Sequence, residues 1–162
     1  AGAGAIIAVD PNPARRQLAR AIGATHACDP AEAIEHARSL TDGRGGDVII
    51  EAAGRPDTFR LSAEAVRPGG QIVWLGKVAV NEEVAFRWGS LMQEKRIVRS
   101  SYGGAKPAQD FPMLARAYLD GKLKLDAKIS ARIGLEQIND GYQDMLEGRN
   151  IRGVIRYTDD DR

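Results

Sequence analysis

The stretch Ala5-Ile6-Ile7-Ala8-Val9-Asp10 constrains the fold more than any other. An unbroken apolar run with branched side chains ends on a carboxylate. Without polar alternation, such a run predicts a strand buried on both faces of a parallel sheet. The acid at its end falls at the carboxyl edge of that sheet, where open α/β folds bind ligands. In a dinucleotide-binding unit, an acid so placed accepts hydrogen bonds from the adenosine ribose hydroxyls. A helix signal follows at once, with Asn12 suited to the N-cap and Pro13 to the first helical position.

The remaining chain alternates between the same two kinds of signal. Helices are predicted over 13–22, from the Asp29-Pro30 cap to Leu40, over 56–66 and 88–94, from an Asp110 cap to Gly121, and over 135–146. Strands are predicted over 25–28, 47–54, 71–76 and 96–101, within 125–133, and over 153–157. The helical stripes (Phe59, Ala63 and Val66; Phe111, Leu114, Ala115, Tyr118 and Leu119; Ile138, Tyr142, Met145 and Leu146) read as core. Arg67-Pro68-Gly69-Gly70 reads as a turn, 78–86 as an extended loop, and the acidic tail Asp159-Asp160-Asp161-Arg162 as frayed. Thr41-Asp42-Gly43-Arg44-Gly45-Gly46 has the glycines of a phosphate loop. It precedes a strand instead of following one, so it reads as a turn. Strands alternating with helices imply a doubly wound parallel α/β sheet with right-handed crossovers.

Composition narrows the function. With 23 basic and 22 acidic residues the chain is nearly neutral, which gives no reason to expect a nucleic-acid or anionic-membrane partner. No apolar run approaches the roughly 20 residues needed to span a bilayer. The opening Ala-Gly-Ala-Gly lacks the basic and apolar segments of a secretory leader, so none is expected. Cys28 is the only cysteine, which rules out an intrachain disulfide and points to a reducing compartment, taken as the cytoplasm. His26 shares a strand face with Cys28, but a zinc site needs three or four ligands. The only other histidine is His36, so Cys28 reads as a buried structural thiol.

A dinucleotide domain of order 3-2-1-4-5-6 normally opens with a strand, a Gly-x-Gly-x-x-Gly turn and a helix, and that first strand is central. Ala1-Gly2-Ala3-Gly4 is no substitute, because it precedes a strand and Ile7 occupies the third-glycine position. The strands at Ala5 and Asp47 are therefore expected to lack their shared neighbour. Burying their unpaired edges would cost roughly 1–3 kcal/mol per unsatisfied group. The expectation is that the chain is part of a longer polypeptide, or that another segment or subunit fills the gap.

Several segments together resemble the C-terminal part of the zinc-type, medium-chain alcohol dehydrogenases. They are Ile6-Ile7-Ala8-Val9-Asp10, Gly23-Ala24-Thr25-His26, Gly46-Asp47-Val48-Ile49-Ile50-Glu51, Gly54-Arg55-Pro56, Gly69-Gly70, and Ile138-Asn139-Asp140-Gly141-Tyr142 through Gly148 to Ile151-Arg152. Ser101-Tyr102-Gly103-Gly104 and Asp110-Phe111-Pro112-Met113-Leu114 look most like the formaldehyde and aryl-alcohol subgroup. The resemblance implies an incomplete dinucleotide-binding domain over 1–105 and a C-terminal segment over 106–162. It implies hydride transfer from an alcohol to NAD, with a catalytic zinc that polarises the alkoxide. The family's zinc ligands and proton relay lie in an N-terminal domain, so the resemblance gives this chain no catalytic or metal-binding residue.

The resemblance assigns Asp10 to the ribose and Arg15 to a basic position beside it. A carboxylate there favours NAD over NADP, and Arg15-Arg16 works against that preference. Ala53 and Gly54 match the strand end beside the adenosine. Leu75, Gly76 and Lys77 match the segment passing the nicotinamide, with Lys77 standing where the family often has an apolar residue. Ser100 and Tyr102 match backbone contacts to the carboxamide, and Arg152 an arginine that reaches the pyrophosphate. The partners implied are an alcohol or aldehyde and further copies of the chain, as a dimer or tetramer paired through 96–101. Two other readings compete: a class I methyltransferase binding S-adenosylmethionine, for which Val66 to Val73 would form the turn into the fifth strand, and a non-catalytic module. The module reading suits this chain taken alone, without the glycine turn and the zinc ligands.

Overall fold

Three separate parallel sheets organise the chain in the computed structural model, which describes residues 2–158. Strand β1 (Ile7–Val9) pairs with β2 (His26–Cys28). Strand β3 (Gly46–Glu51) pairs with β4 (Val66–Trp74), which pairs with β5 (Arg96–Arg99). Strand β6 (Ala131–Ile133) pairs with β7 (Gly153–Ile155). The helices are α1 (Pro13–Ile22), α2 (Ala33–Ser39), α3 (Pro56–Ala65), α4 (Pro107–Leu119) and α5 (Ile138–Leu146). The alternation is the α/β pattern read from the sequence. The expected frayed tail, Asp159 to Arg162, lies outside the described residues.

Local signals set the helix starts. The Asn12 side chain accepts from the Ala14 amide at 2.9 Å, and Pro13 opens α1. Asp29 and Glu32 form a reciprocal capping box over a 3-10 turn, Pro30–Glu32, that leads into α2.

The core lies between α3 and the face of the central sheet that it covers. Ala63, Val66 and Ile72 are buried, with Ile49, Trp74, Phe86 and Leu91 packed around them. Phe59 meets Trp74 edge-on at 5.0 Å, and Trp74 stacks on Phe86 at 5.8 Å. Trp74 Nε1 donates to Ser62 Oγ at 3.1 Å, so the half-buried indole keeps a polar partner. Cys28 is buried, as expected, and burial pushes its thiol pKa up.

Several expectations need correction. The turn at Arg67 to Gly70 lies inside β4 as a bulge, because the register moves from Gly46↔Val66 to Val48↔Gln71. Arg67 Nε donates to Asp47 Oδ1 across it at 2.5 Å, which holds the Asp47 carboxyl below its usual range. The 88–94 helix is a 3-10 turn, Trp88–Leu91. Within 125–133 only β6 is a strand, preceded by a 3-10 turn, Asp126–Lys128. Asp110 is not a cap: α4 starts at Pro107, and Asp110 folds back to accept from the Lys106 amide at 2.7 Å.

The larger correction concerns burial. The strands at Ala5 and Asp47 are not buried on both faces. Val48 and Ile50 flank Ile49 on β3 and so point to the face away from α3, where they are 57% and 64% exposed. Phe111, Leu114, Tyr118 and Leu119 of α4 are exposed, as are Tyr142, Met145 and Leu146 of α5. The amphipathic patterns are real. The surface each would pack against is absent among the described residues. No ladder joins β1 to β3, as the gap expectation requires.

Truncating Ile72, the fully buried centre of this core, to alanine is expected to cost about 2–5 kcal/mol. Val48→Ala, on the uncovered face, is expected to cost less than about 1 kcal/mol. Urea denaturation of the two variants checks the contrast.

Candidate cofactor site

Glu51 ends β3, and its polar atoms hold the neighbouring strand ends together. Its main-chain carbonyl accepts from the Leu75 amide at 2.8 Å and the Gly76 amide at 3.1 Å. Its side chain turns the other way. Oε1 accepts from the amides of Ala53 at 2.9 Å and Gly54 at 2.8 Å, and from Thr58 Oγ1 at 2.7 Å. The residue is 4% exposed, and Oε2 is buried without a donor among the described residues. Acceptance from two amides and a hydroxyl offsets the cost of burying the carboxylate.

Two glycines make this closeness possible. A Cβ on Gly54 would stand 2.6 Å from the Lys77 carbonyl oxygen, and the Gly54 φ of +70° already disfavours a side chain. A Cβ on Gly76 would stand 2.6 Å from the Gly54 Cα and collide with the Glu51 carboxylate. Small residues at a strand end are expected to admit a ligand to the backbone. Here they first admit one backbone to another. Ala53, Gly54, Leu75, Gly76 and Lys77 are thereby gathered into one rim at the carboxyl edge. Ser100 joins it one strand further along, where its amide donates to the Trp74 carbonyl at 3.0 Å. Tyr102 follows with a left-handed φ of 51° and a side chain 90% exposed.

Asp10 stands apart from this rim, at the end of β1. Oδ1 accepts from the Asn12 amide at 2.8 Å, while Oδ2 is 4.0 Å from the Arg15 guanidinium. That distance is the limit of an ion pair, and a pair so exposed contributes little. One carboxylate oxygen is thus left open to a hydroxyl donor. Arg16 braces the main chain instead, donating to the Asp10 carbonyl at 2.6 Å and to Asp29 at 3.3 Å. Arg152 precedes β7. It is exposed, and among the described residues its side chain has no hydrogen bond or ion pair with either cluster. Asn12 Nδ2 reaches the Gly148 carbonyl at 3.5 Å, so the loop before Arg152 touches the start of α1. Among the described residues no group of three or more His, Cys, Asp or Glu side chains could hold a metal ion.

Sequence reasoning passed over Glu51 as one more strand residue. The signal was available: a carboxylate ending an apolar run, three residues before a glycine, repeats what Asp10 does at the end of β1.

A parallel α/β chain with a small-residue rim at its carboxyl edge is a nucleotide-binding architecture. Comparison with known proteins makes this specific. The zinc-binding dehydrogenase family matches residues 1–119, and the chain belongs to that family. Alcohol dehydrogenase B of Mycobacterium tuberculosis is 39% identical over 168 residues, covering 100% of this chain and 44% of that protein. The NDMA-dependent alcohol dehydrogenase of Amycolatopsis methanolica is 36% identical, covering 99% and 44%. Among solved structures, benzyl alcohol dehydrogenase of Acinetobacter calcoaceticus superposes with a TM-score of 0.89 at 26% identity, covering 97% of this chain and 44% of that one. A zinc-binding dehydrogenase of Sinorhizobium meliloti, bound to NADP, gives 0.81 at 29% identity, covering 97% and 46%. The chain therefore spans less than half the length of the relatives it matches. The methyltransferase alternative finds no support, and the parallel pairing of β6 with β7 is not its closing antiparallel hairpin.

Replacing Glu51 with alanine is expected to deprotect the Ala53 and Gly54 amides by tenfold or more, about 1.4 kcal/mol. Amide hydrogen exchange on the variant reads this directly.

Proposed function

We propose that this chain is the nucleotide-binding part of an NAD-dependent, zinc-type alcohol dehydrogenase, working on an alcohol or its aldehyde in the cytoplasm. The observation that carries the reading is Asp10, a half-buried carboxylate at the end of β1 with one oxygen uncommitted. In this reading Asp10 accepts from the adenosine ribose hydroxyls, and Ala53 and Gly54 flank the adenosine. Leu75, Gly76 and Lys77 lie along the nicotinamide, the main chain at Ser100 and Tyr102 meets its carboxamide, and Arg152 reaches the pyrophosphate. The nicotinamide, when bound, supplies the hydride acceptor. The residues of this chain bind and orient it and take no proton. A zinc ion, when present, supplies Lewis acidity, and its ligands come from outside this chain.

The open edges of β1 and β3 suit a strand supplied from beyond these residues, with the glycine turn that cradles the pyrophosphate. Residues 1–105 form the dinucleotide unit in this reading, and 106–162 return toward the catalytic unit. The outer edge of β5 is unpaired and offers a two-fold strand pairing between copies. Arg96 and Arg99 on it serve equally to guard an edge against unwanted pairing.

A second reading, NADP, is favoured by Arg15. Its guanidinium is only loosely held by Asp10 and is free to meet a 2′-phosphate. Fluorescence titration decides between them. NADH is expected to bind a longer polypeptide that carries the preceding strand at least tenfold more tightly than this chain alone. Asp10→Ser in that polypeptide is expected to move the NADH-to-NADPH affinity ratio about tenfold toward NADPH, the loss of roughly one charge-assisted contact. An unchanged ratio sinks the role of Asp10. S-adenosylmethionine binding by either form would overturn the whole reading.

A further inference from the structure

At the amino end of the β3–β4–β5 sheet, opposite the Glu51 rim, four cationic side chains converge on one cavity of about 290 Å³. Arg38 comes from the last turn of α2 and Arg44 from the glycine-rich turn before β3. Arg87 and Lys95 come from either end of the segment that leads into β5. Glu64 is the only acid among the lining residues. The chain as a whole balances 23 basic against 22 acidic residues, so this four-to-one excess is local and tertiary.

The partners of these groups leave the excess uncompensated. Glu64 is committed to Arg87, whose Nη2 and Nε donate to it at 2.6 and 3.3 Å. Lys95 Nζ donates to the Ala63 and Ser90 carbonyls at 2.8 and 3.0 Å, so it meets dipoles and no carboxylate. Arg44 Nε donates to the Thr41 carbonyl at 3.1 Å; the only carboxylate whose field it is seen to share outside the cavity is Asp47, which is already paired with Arg67, and among the described residues the Arg38 side chain has no hydrogen bond or ion pair. Burial pushes the Lys95 pKa down. Glu64 opposes that shift, and Arg87 and Arg38 add to it. Cations that already feel one another across a cavity gain by admitting an anion between them.

We propose that this cavity is a binding site for a small phosphate-class oxyanion, either free or as the phosphoryl group of a metabolite. Guanidinium forks match phosphate oxygens in pairs; Arg38 supplies a whole fork and Arg44 the two terminal nitrogens that its bond to Thr41 leaves open, over a fixed ammonium. The volume is at the small end for ligand pockets, which run from about 300 Å³ upward, so it suits a pyrophosphate-sized group. The near-neutral charge of the whole chain argues against a nucleic-acid track. This site is separate from the proposed cofactor rim and does not depend on it. Nor is the glycine-rich turn a phosphate loop: Gly43 and Arg44 both line the cavity, but the amides of Gly43, Arg44 and Gly45 are already donated to the Arg38 carbonyl, the Thr41 carbonyl and Thr41 Oγ1.

Titration of the full isotope-labelled chain with sodium pyrophosphate, followed by amide resonances at ionic strength held constant with sodium chloride, tests the site. Saturable shifts are expected at Gly43, Gly89 and Gln93. The double variant Arg38→Ala, Arg44→Ala is expected to weaken them at least tenfold, while its urea midpoint stays within error of the parent. Both side chains are exposed and neither anchors the core. Parallel titrations with orthophosphate and glycerol 3-phosphate separate the sources: equal affinity assigns the free anion, and preference for the ester assigns a metabolite. The proposal fails if those three amides do not shift saturably. It also fails if the double variant binds as well as the parent, or if the shifts fall only at Ala53, Gly54 and Gly76.

Discussion

The buried carboxylate of Glu51 is the interaction on which the candidate site depends. One residue ties β3 to β4 through its carbonyl and ties the loop after β3 to the start of α3 through Oε1. Strand ends are ordinarily where pairing stops and backbone groups must find other partners. Here those partners are supplied by a single side chain, which fixes the Ala53–Gly54 turn against Gly76 and Lys77. The glycines are the steric condition for that arrangement, since a methyl group on either would occupy the space of the neighbouring backbone. A rim built this way carries little side-chain bulk, and its Ala53 and Gly54 amides are already satisfied by Glu51.

The central sheet has one covered face and one open face, and this asymmetry explains much of the surface. Ile49, Ile72 and Trp74 meet α3 and form the core. Val48 and Ile50, one residue out of phase, are exposed. The period of two that puts Ile49 inside obliges its neighbours to face outward. The same holds for α4 and for most of α5, where Tyr142, Met145 and Leu146 are exposed while Ile138 is half-buried. An exposed apolar surface of this extent is characteristic of a face that packs against another structural layer, in keeping with a chain that spans less than half the length of its relatives.

The two ends of the sheet differ in charge as well as in role. The carboxyl edge of the central sheet carries the Glu51 rim, with Lys77 as an exposed cation. The amino edge gathers Arg38, Arg44, Arg87 and Lys95 around Glu64. A near-neutral total conceals this polarity, because net charge sums over positions that the fold separates.

Much of the architecture was legible in the sequence because its causes are local. Asn12 and Pro13 start a helix wherever they stand before a periodic run, and the Asp29–Glu32 box acts over four residues. The unbroken apolar runs before Asp10 and Glu51 mark parallel strands, and Phe59 and Ala63 lie on the buried face of α3 as their spacing requires, while Val66, expected on that helix, is buried as the first residue of β4. Tertiary structure alone decided the rest. The bulge that absorbs Arg67 to Gly70 depends on the register of β4 against β3. The exposure of the α4 stripe depends on a missing neighbour, which the residues of α4 do not encode. The clamp at Glu51 and the cationic cavity both join residues far apart in the chain. Periodicity and capping are properties of a segment. Register, cover and convergence are properties of pairs of segments, and no single stretch of sequence carries them.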